Sequence, residues 1–230
     1  HRCDFLVCPS QMGLDDIRRY GLKVPAEVIS NGVSASFKPG PAMERLEWKD
    51  KFVIISVGRL AVEKAHDVTI KAIAKSRFKD KIQLVIAGTG AQRDNLEKLA
   101  ASLSVAIEFM FLGQADLIKL YNSADLFVHS SYAEMEGMVC SEAIACGVVP
   151  IIADNKLSAS KQFALDNRSV YKFGDADLLA QKIDAWLEDP SQLQQMQDAY
   201  VEHSKKWSFA NSLSKLEQIY YKVVADKIGV

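Results

Sequence analysis

The sequence predicts an α/β fold, an open parallel sheet covered by helices on both faces. Three observations carry that prediction. From residue 52 to residue 207, short apolar runs of strand length alternate with stretches of helical periodicity. The runs are apolar almost throughout, as in strands buried on both faces, without the in-out alternation of a half-exposed sheet. Glycines and polar clusters punctuate the sequence where strand-to-helix turns fall.

In order, the chain opens with an apolar run at 3–9 ending in Ser10, a helix-like stretch at 11–20 closed by Gly21, and a short strand at 27–30. Residues 32–50 change character. Asn31-Gly32 is a turn signal, Pro39-Gly40-Pro41 prevents regular structure, and Trp48 stands among polar neighbours. This stretch reads as a linker, so 1–31 belongs to a different domain from the strands and helices beyond residue 50. A strand at 52–57 then leads through Gly58-Arg59-Leu60 and a polar loop to Lys64. A helix follows at 66–77, with Val68, Ile70, Ala72, Ile73 and Ala74 apolar. The strand at 82–87 closes on Gly88-Thr89-Gly90. The helix at 91–103 carries Leu96, Leu99 and Leu103 on one stripe. A strand at 106–112 ends at Gly113, and a short helix covers 116–123.

Residues 125–153 form the central unit: a strand at 125–129, a polar loop, a helix at 138–146 that Gly147 stops, and a strand at 148–153. Beyond it the sequence predicts a short helix at 158–165, a strand at 169–173 and a helix at 177–187 stopped at Asp189-Pro190. Two more helices follow, at 191–207 and 208–228. The last carries Leu213, Leu216, Tyr220, Val223 and Val224 at helical spacing.

Composition narrows the function classes. A net charge of -1 supplies no basic field for nucleic acid. No apolar run reaches the roughly 18 residues of a membrane span. The cysteines, Cys3, Cys8, Cys140 and Cys146, match no zinc or redox spacing and read as reduced packing residues of a cytoplasmic protein.

Polar clusters fall after strands, where parallel sheets bind ligands. Gly58 permits close backbone approach, Arg59 offers a planar fork and Lys64 a point charge, a set suited to a diphosphate, although a solvated loop would read the same way. Gly88-Thr89-Gly90 is common in any strand-to-helix turn. The loop with Glu134, Glu136 and Gly137 precedes a helix whose first N–H groups favour an anion. Glu142, one turn into that helix, suits a ribose diol or a structural salt bridge. Paired carboxylates also invite a glycosidase reading, for which a doubly wound sheet is a poor host. His66 reads as a capping or surface residue and His129 as a packed one.

The ordered series Gly58-Arg59-Leu60 with Glu63-Lys64, Val85 to Gly90, Phe111-Leu112-Gly113, Glu134-x7-Glu142-Ala143 and Gly147-x-x-Pro150 to Ala153 resembles the C-terminal domain of glycosyltransferase family 4. Phe5 to Ser10 and Val28 to Val33 resemble the end of that family's N-terminal domain. The resemblance implies the C-terminal half of a GT-B fold, with a Rossmann-like sheet. Residues 1–31 would end the acceptor domain, 32–50 link, 51–205 bind the nucleotide sugar, and 206–230 form the crossover helix. It implies hexosyl transfer with retention, glucose from UDP-glucose being the expected donor, and no cofactor or essential metal. Arg59, Lys64 and Glu134 would serve catalysis. The donor would lie on these with Gly58, Gly88, Gly113, Gln114, Met135, Glu136, Gly137, Met138, Val139 and Glu142, the last on the ribose. Ala65 replaces the family's usual glycine and Glu136 a common aromatic. The acidic residue and the Cys-x-Glu-Ala-Ile-Ala-Cys-Gly run resemble the branch that glucosylates membrane lipids. The expected location is therefore cytoplasmic, peripheral at the inner membrane face. With most of the acceptor domain absent, the chain is expected to be inactive alone and to self-associate through the surface left bare. The alternative is a non-catalytic nucleotide-sugar-binding module acting with a separate N-terminal chain.

Overall fold

The computed structural model describes residues 3–228; residues 1–2 and 229–230 of the expected terminal segments lie outside the described residues. The first piece contains β1 (Leu6–Cys8), α1 (Gln11–Arg19) and β2 (Ala26–Val28). Ser10 caps α1, its Oγ accepting from the Gly13 N–H, and the two strands pair in parallel.

The second unit is the predicted sheet. Its strands are β3 (Phe52–Val57), β4 (Ile82–Ala87), β5 (Ile107–Met110), β6 (Leu126–His129), β7 (Val149–Asp154) and β8 (Val170–Lys172). They lie in the order β5-β4-β3-β6-β7-β8, all parallel. The chain runs outward from β3 to β5, then returns across β3 to start the other half at β6. That reversal opens a crevice at the carboxyl ends of β3 and β6, where ligands bind in such sheets.

The covering helices are α2 (His66–Lys75), α3 (Arg93–Ser102), α4 (Gln114–Tyr121), α5 (Met138–Ala145), α6 (Ala176–Glu188) and α7 (Pro190–Ser204). α2 packs on α3 and α6, and α5 on α7. The core between helices and sheet includes fully buried Ile54, Ile55, Leu84, Phe127 and Ile151. Each such side chain contributes on the order of 1.5–3 kcal/mol.

Three expectations change. Trp48 is buried against the core from a short 3-10 turn, Leu46–Trp48, so the linker packs on the sheet unit more tightly than its composition implied. The expected helix at 158–165 is a 3-10 turn, Ser160–Phe163. The stretch at 191–207 divides into α7 and a 3-10 turn, Lys205–Trp207, before α8 (Phe209–Ile228). Asp189-Pro190 both ends α6 and starts α7. Asp189 accepts from the Gln192 N–H, and Pro190 takes the first helical position, where no N–H is needed.

The two units join where the chain crosses twice. Val33 N–H donates to the Trp207 carbonyl (2.7 Å) and Phe209 N–H to the Val33 carbonyl (2.9 Å). Gly32, at φ +76°, lies so close to the Phe209 backbone that a Cβ would overlap it.

Candidate active site

The loops after β3, β4 and β6 meet at the crevice. Gly58 N–H donates to the Ala87 carbonyl, Leu60 N–H to that of Thr89 and Gln92 N–H to that of Leu60. A Cβ on Gly88 would overlap the Gly58 carbonyl, and one on Gly90 the Leu60 carbonyl. The Gly-Thr-Gly motif is thus where two loops touch backbone to backbone, and its glycines hold the Arg59 loop in place. A 3-10 turn, Val62–Lys64, then carries the chain into α2 through Ala65, a left-handed residue at φ 47°, ψ 39°. The alanine that stands in place of the family's usual glycine is thus held in a strained conformation.

His66 corrects the sequence reading. It is 3% exposed, behind the loop, not on the surface. Its Nε2 faces the Arg59 carbonyl at 3.2 Å and its Nδ1 the Ser56 hydroxyl at 3.1 Å. Burial, with His129 and Lys64 nearby, lowers its pKa to about 4 against the weaker opposing bond to Arg59. The ring is therefore neutral at pH 7, donating from Nε2 and accepting at Nδ1.

Lys64, Glu134 and His129 converge. Lys64 Nζ pairs with Glu134 Oε1, and both side chains are largely buried. His129 Nε2 lies 3.4 Å from the same oxygen without the alignment of a hydrogen bond, and has no hydrogen-bond partner among the described residues. Burial alone would raise the Glu134 carboxyl; the facing imidazole and ammonium outweigh it and hold the group at about 2. The two loops are tied as well: Tyr132 N–H and the Ser131 hydroxyl both donate to the Glu63 carbonyl.

The Arg59 side chain is 76% exposed at this site, and among the described residues its guanidinium pairs only with Glu63, one turn on. α5 starts at Gly137, φ +88°, with no side chain among the described residues capping it, and Ser160 presses against the glycine where a Cβ would be. Uncapped N–H groups of this kind, here with Met138 and Val139 in the first turn, favour an anion. Glu142 takes a 3.1 Å bond from the buried Tyr121 hydroxyl, and burial raises its pKa. Met135 is exposed, and its methyl lies over Gly13 of α1. Gly113 precedes α4, and Gln114 donates to Ser36 of the linker.

The structure thus joins Lys64 to Glu134, places Gly88 beneath Gly58, and leaves Glu142 apart, facing Tyr121. Glu136 turns away from the cluster, and its carboxylate meets Ser30 and Asn31. Sequence reasoning missed Tyr121, Ser160 and the role of His66, whose partners lie in other elements. Among the described residues, no three His, Cys, Asp or Glu side chains are grouped to hold a metal ion, and no helix is long and apolar enough to cross a membrane. A cavity of about 830 Å³, lined by Met43, Arg45, Trp48, Asn122 and Asp125, lies at the amino ends of β3 and β6. Parallel sheets do not bind their ligands at that end, and the chemistry described above lies at the other.

Comparison with known proteins identifies the family and the fold. Residues 41–207 match the family model described as glycosyl transferases group 1. The chain is 26% identical over 209 residues to alpha-monoglucosyldiacylglycerol synthase of Streptococcus pneumoniae, covering 83% of this chain and 46% of that protein. It is 30% identical over 190 residues to D-inositol 3-phosphate glycosyltransferase of Mycolicibacterium smegmatis, covering 77% and 42%. The chain spans about half or less of the length of these curated relatives. Among solved structures, the catalytic domain of cholesterol-alpha-glucosyltransferase from Helicobacter pylori matches with 38% identity and a TM-score of 0.64 over 68% of this chain and 99% of that one. Anabaena HepE, solved in complex with UDP, shares the fold at 18% identity and a TM-score of 0.87 over 96% of this chain and 64% of that one. The sheet is that of GT-B glycosyltransferases, and the chain belongs to the group 1 glycosyl transferase family.

Proposed function

We propose that this chain is the donor-binding half of a retaining hexosyltransferase that takes glucose from UDP-glucose and works without an essential metal. The observation that carries the reading is the Lys64–Glu134–His129 cluster beside the uncapped start of α5. Lys64, the exposed fork of Arg59 and the α5 N–H groups would bind the diphosphate and stabilise it as a leaving group. Fixed cations would thereby take the place of a metal ion. Glu134 would face the sugar, and Glu142 the ribose hydroxyls. The low pKa of Glu134 keeps it ionised at any physiological pH, so it would act as an acceptor of hydrogen bonds and a stabiliser of positive charge, not as an acid.

A lipid acceptor is the second part of the proposal. It is supported by the names of the pneumococcal diacylglycerol and Helicobacter cholesterol enzymes among its relatives. The chain itself is proposed to bind donor without turnover, since its relatives are about twice as long. α8 leaves Tyr220, Tyr221 and Val224 exposed, a face through which copies of this chain would associate.

The test is calorimetric titration of the chain with UDP, UDP-glucose and GDP, beside Arg59→Ala and Glu142→Ala. UDP species should bind, and both substitutions should weaken them. A folded chain that binds none of the three would refute the donor reading.

A further inference from the structure

Glu136 sits two residues from Glu134 yet does different work. It is 4% exposed, and its carboxylate is surrounded by donors from the junction of the two units. Oε1 accepts from the Ser30 hydroxyl and from Asn31 N–H (3.2 Å). Oε2 accepts from Asn31 Nδ2 (2.6 Å) and shares the same N–H (3.3 Å). A buried carboxylate is costly unless its lone pairs are filled, and here they are filled from residues over a hundred positions away. The Ser30 hydroxyl also accepts from Gly32 N–H, so one side chain shapes the crossing and binds the loop. Gly32 in turn rests on the Phe209 backbone, where the second crossing passes.

The loop's other side is held by the sheet unit. Glu134 N–H donates to the Leu157 carbonyl, Ala159 N–H to that of Glu134, and Gln162 Nε2 to that of Glu136. The loop is thus suspended between the junction at residues 30–33 and the 155–162 segment. A rotation at residues 30–33 would move the donors of Glu136, and with them the start of α5.

We propose that Glu136 is a positioning residue that couples the junction between the two units, at residues 30–33, to the loop carrying Glu134 and the α5 N-terminus. The geometry of that junction then sets how well the loop fits a nucleotide sugar. The functional consequence rests on the donor reading above; the mechanical coupling does not.

Hydrogen exchange of the peptide 131–140 tests the coupling directly. Asn31→Ala, outside the loop, should raise exchange there about tenfold, above all at the Tyr132 and Glu134 amides. Asn122→Ala, which loses a bond to Gly40 in the same linker, should not. Glu136→Gln should act like Asn31→Ala, and combining Glu136→Gln with Asn31→Asp, which exchanges amide and carboxylate, should restore protection. UDP-glucose affinity should fall about tenfold in either single variant, and no further in Glu136→Gln combined with Asn31→Ala.

Unchanged loop exchange in Asn31→Ala, or a rise spread evenly over the sheet, would overturn the proposal. So would loss of donor binding in Glu136→Gln alone with Asn31→Ala unaffected, which would make Glu136 a direct donor contact. Should Asn31→Ala fail to fold, Ser30→Ala removes one donor to Glu136 together with the acceptor of Gly32 N–H, and leaves Asn31 in place, and it reads out the same way. A parent chain that binds no nucleotide sugar would refute the donor reading, while the exchange results would still decide the coupling.

Discussion

Two polar networks in this chain use the same residue types to different ends. At the far side of the sheet unit, Asp184 of α6 accepts from the Ser76 hydroxyl and from Arg77 N–H and Nε, while the Arg77 fork lies on Glu188 at 2.8 and 2.9 Å. Both Asp184 oxygens are partnered from within the chain. In the crevice, among the described residues, His129 Nε2 faces Glu134 without a hydrogen-bond partner, Arg59 pairs only with its neighbour Glu63, and no side chain caps α5. Closed networks hold elements together; open ones hold places for a ligand.

The largest effect expected from breaking this contrast is at the closed end. Asp184→Ala leaves the Ser76 hydroxyl and Arg77 N–H without their acceptor, and should cost about 3 kcal/mol of unfolding free energy. Donor affinity of the folded protein should be unchanged. Urea unfolding beside titration measures both, and a loss of affinity equal to the loss of stability would erase the distinction between the networks.

Nearly as large is the pH response of the floor beneath the crevice. His66 is held neutral to about pH 4, whereas an unfolded histidine takes its proton near pH 6.5. Its share of stability is therefore complete above pH 6.5 and is lost as pH falls toward 4, about 3 kcal/mol over the full window. His203, also lowered to about 4 by burial and by Lys206, adds in the same direction. Urea midpoints of the parent and of His66→Gln at pH 7 and pH 5 isolate the effect, because the carboxylates are common to both. Parallel pH slopes would show that the imidazole is not enclosed.

Arg59→Ala sharpens the contrast from the open side. Its surface pair with Glu63 is worth at most about 1 kcal/mol, so stability should stay within about 0.5 kcal/mol. Affinity for a diphosphate should fall ten- to a hundredfold, roughly 1.4–2.7 kcal/mol. Equal effects on both would leave Arg59 a residue of structure alone, with no part in binding a diphosphate.

The smallest effect is at Ala65. A left-handed alanine costs about 1–2 kcal/mol, and glycine there gives back about 0.5–1 kcal/mol in chain entropy. Ala65→Gly should stabilise by about 0.5 kcal/mol, readable as a rise of a degree or two in Tm. A loss of stability would show that the strain is relieved elsewhere.

Much of the fold is legible in the sequence alone. β3 and β4 span 52–57 and 82–87 as the apolar runs predict, and the strand-end motifs do border one crevice. What the sequence does not carry is direction. In a strand, residues 134 and 136 would share a face. In the loop that alternation is lost, and Glu134 meets Lys64 while Glu136 meets Asn31. His66 escapes the sequence reading for a related reason: its partners, Ser56 and the Arg59 carbonyl, belong to β3 and its loop, and no helical pattern reveals them.

The double crossing at Val33 and Phe209 has a consequence for modularity. The chain enters the sheet unit and leaves it side by side, so the span between is a cassette with adjacent ends, the arrangement that tolerates transplantation. The family match, 41–207, falls inside it. Exchanging that cassette between relatives should move sugar preference as one block. The graft must carry Ser30 and Asn31 with it, because the socket for Glu136 lies just outside the cut.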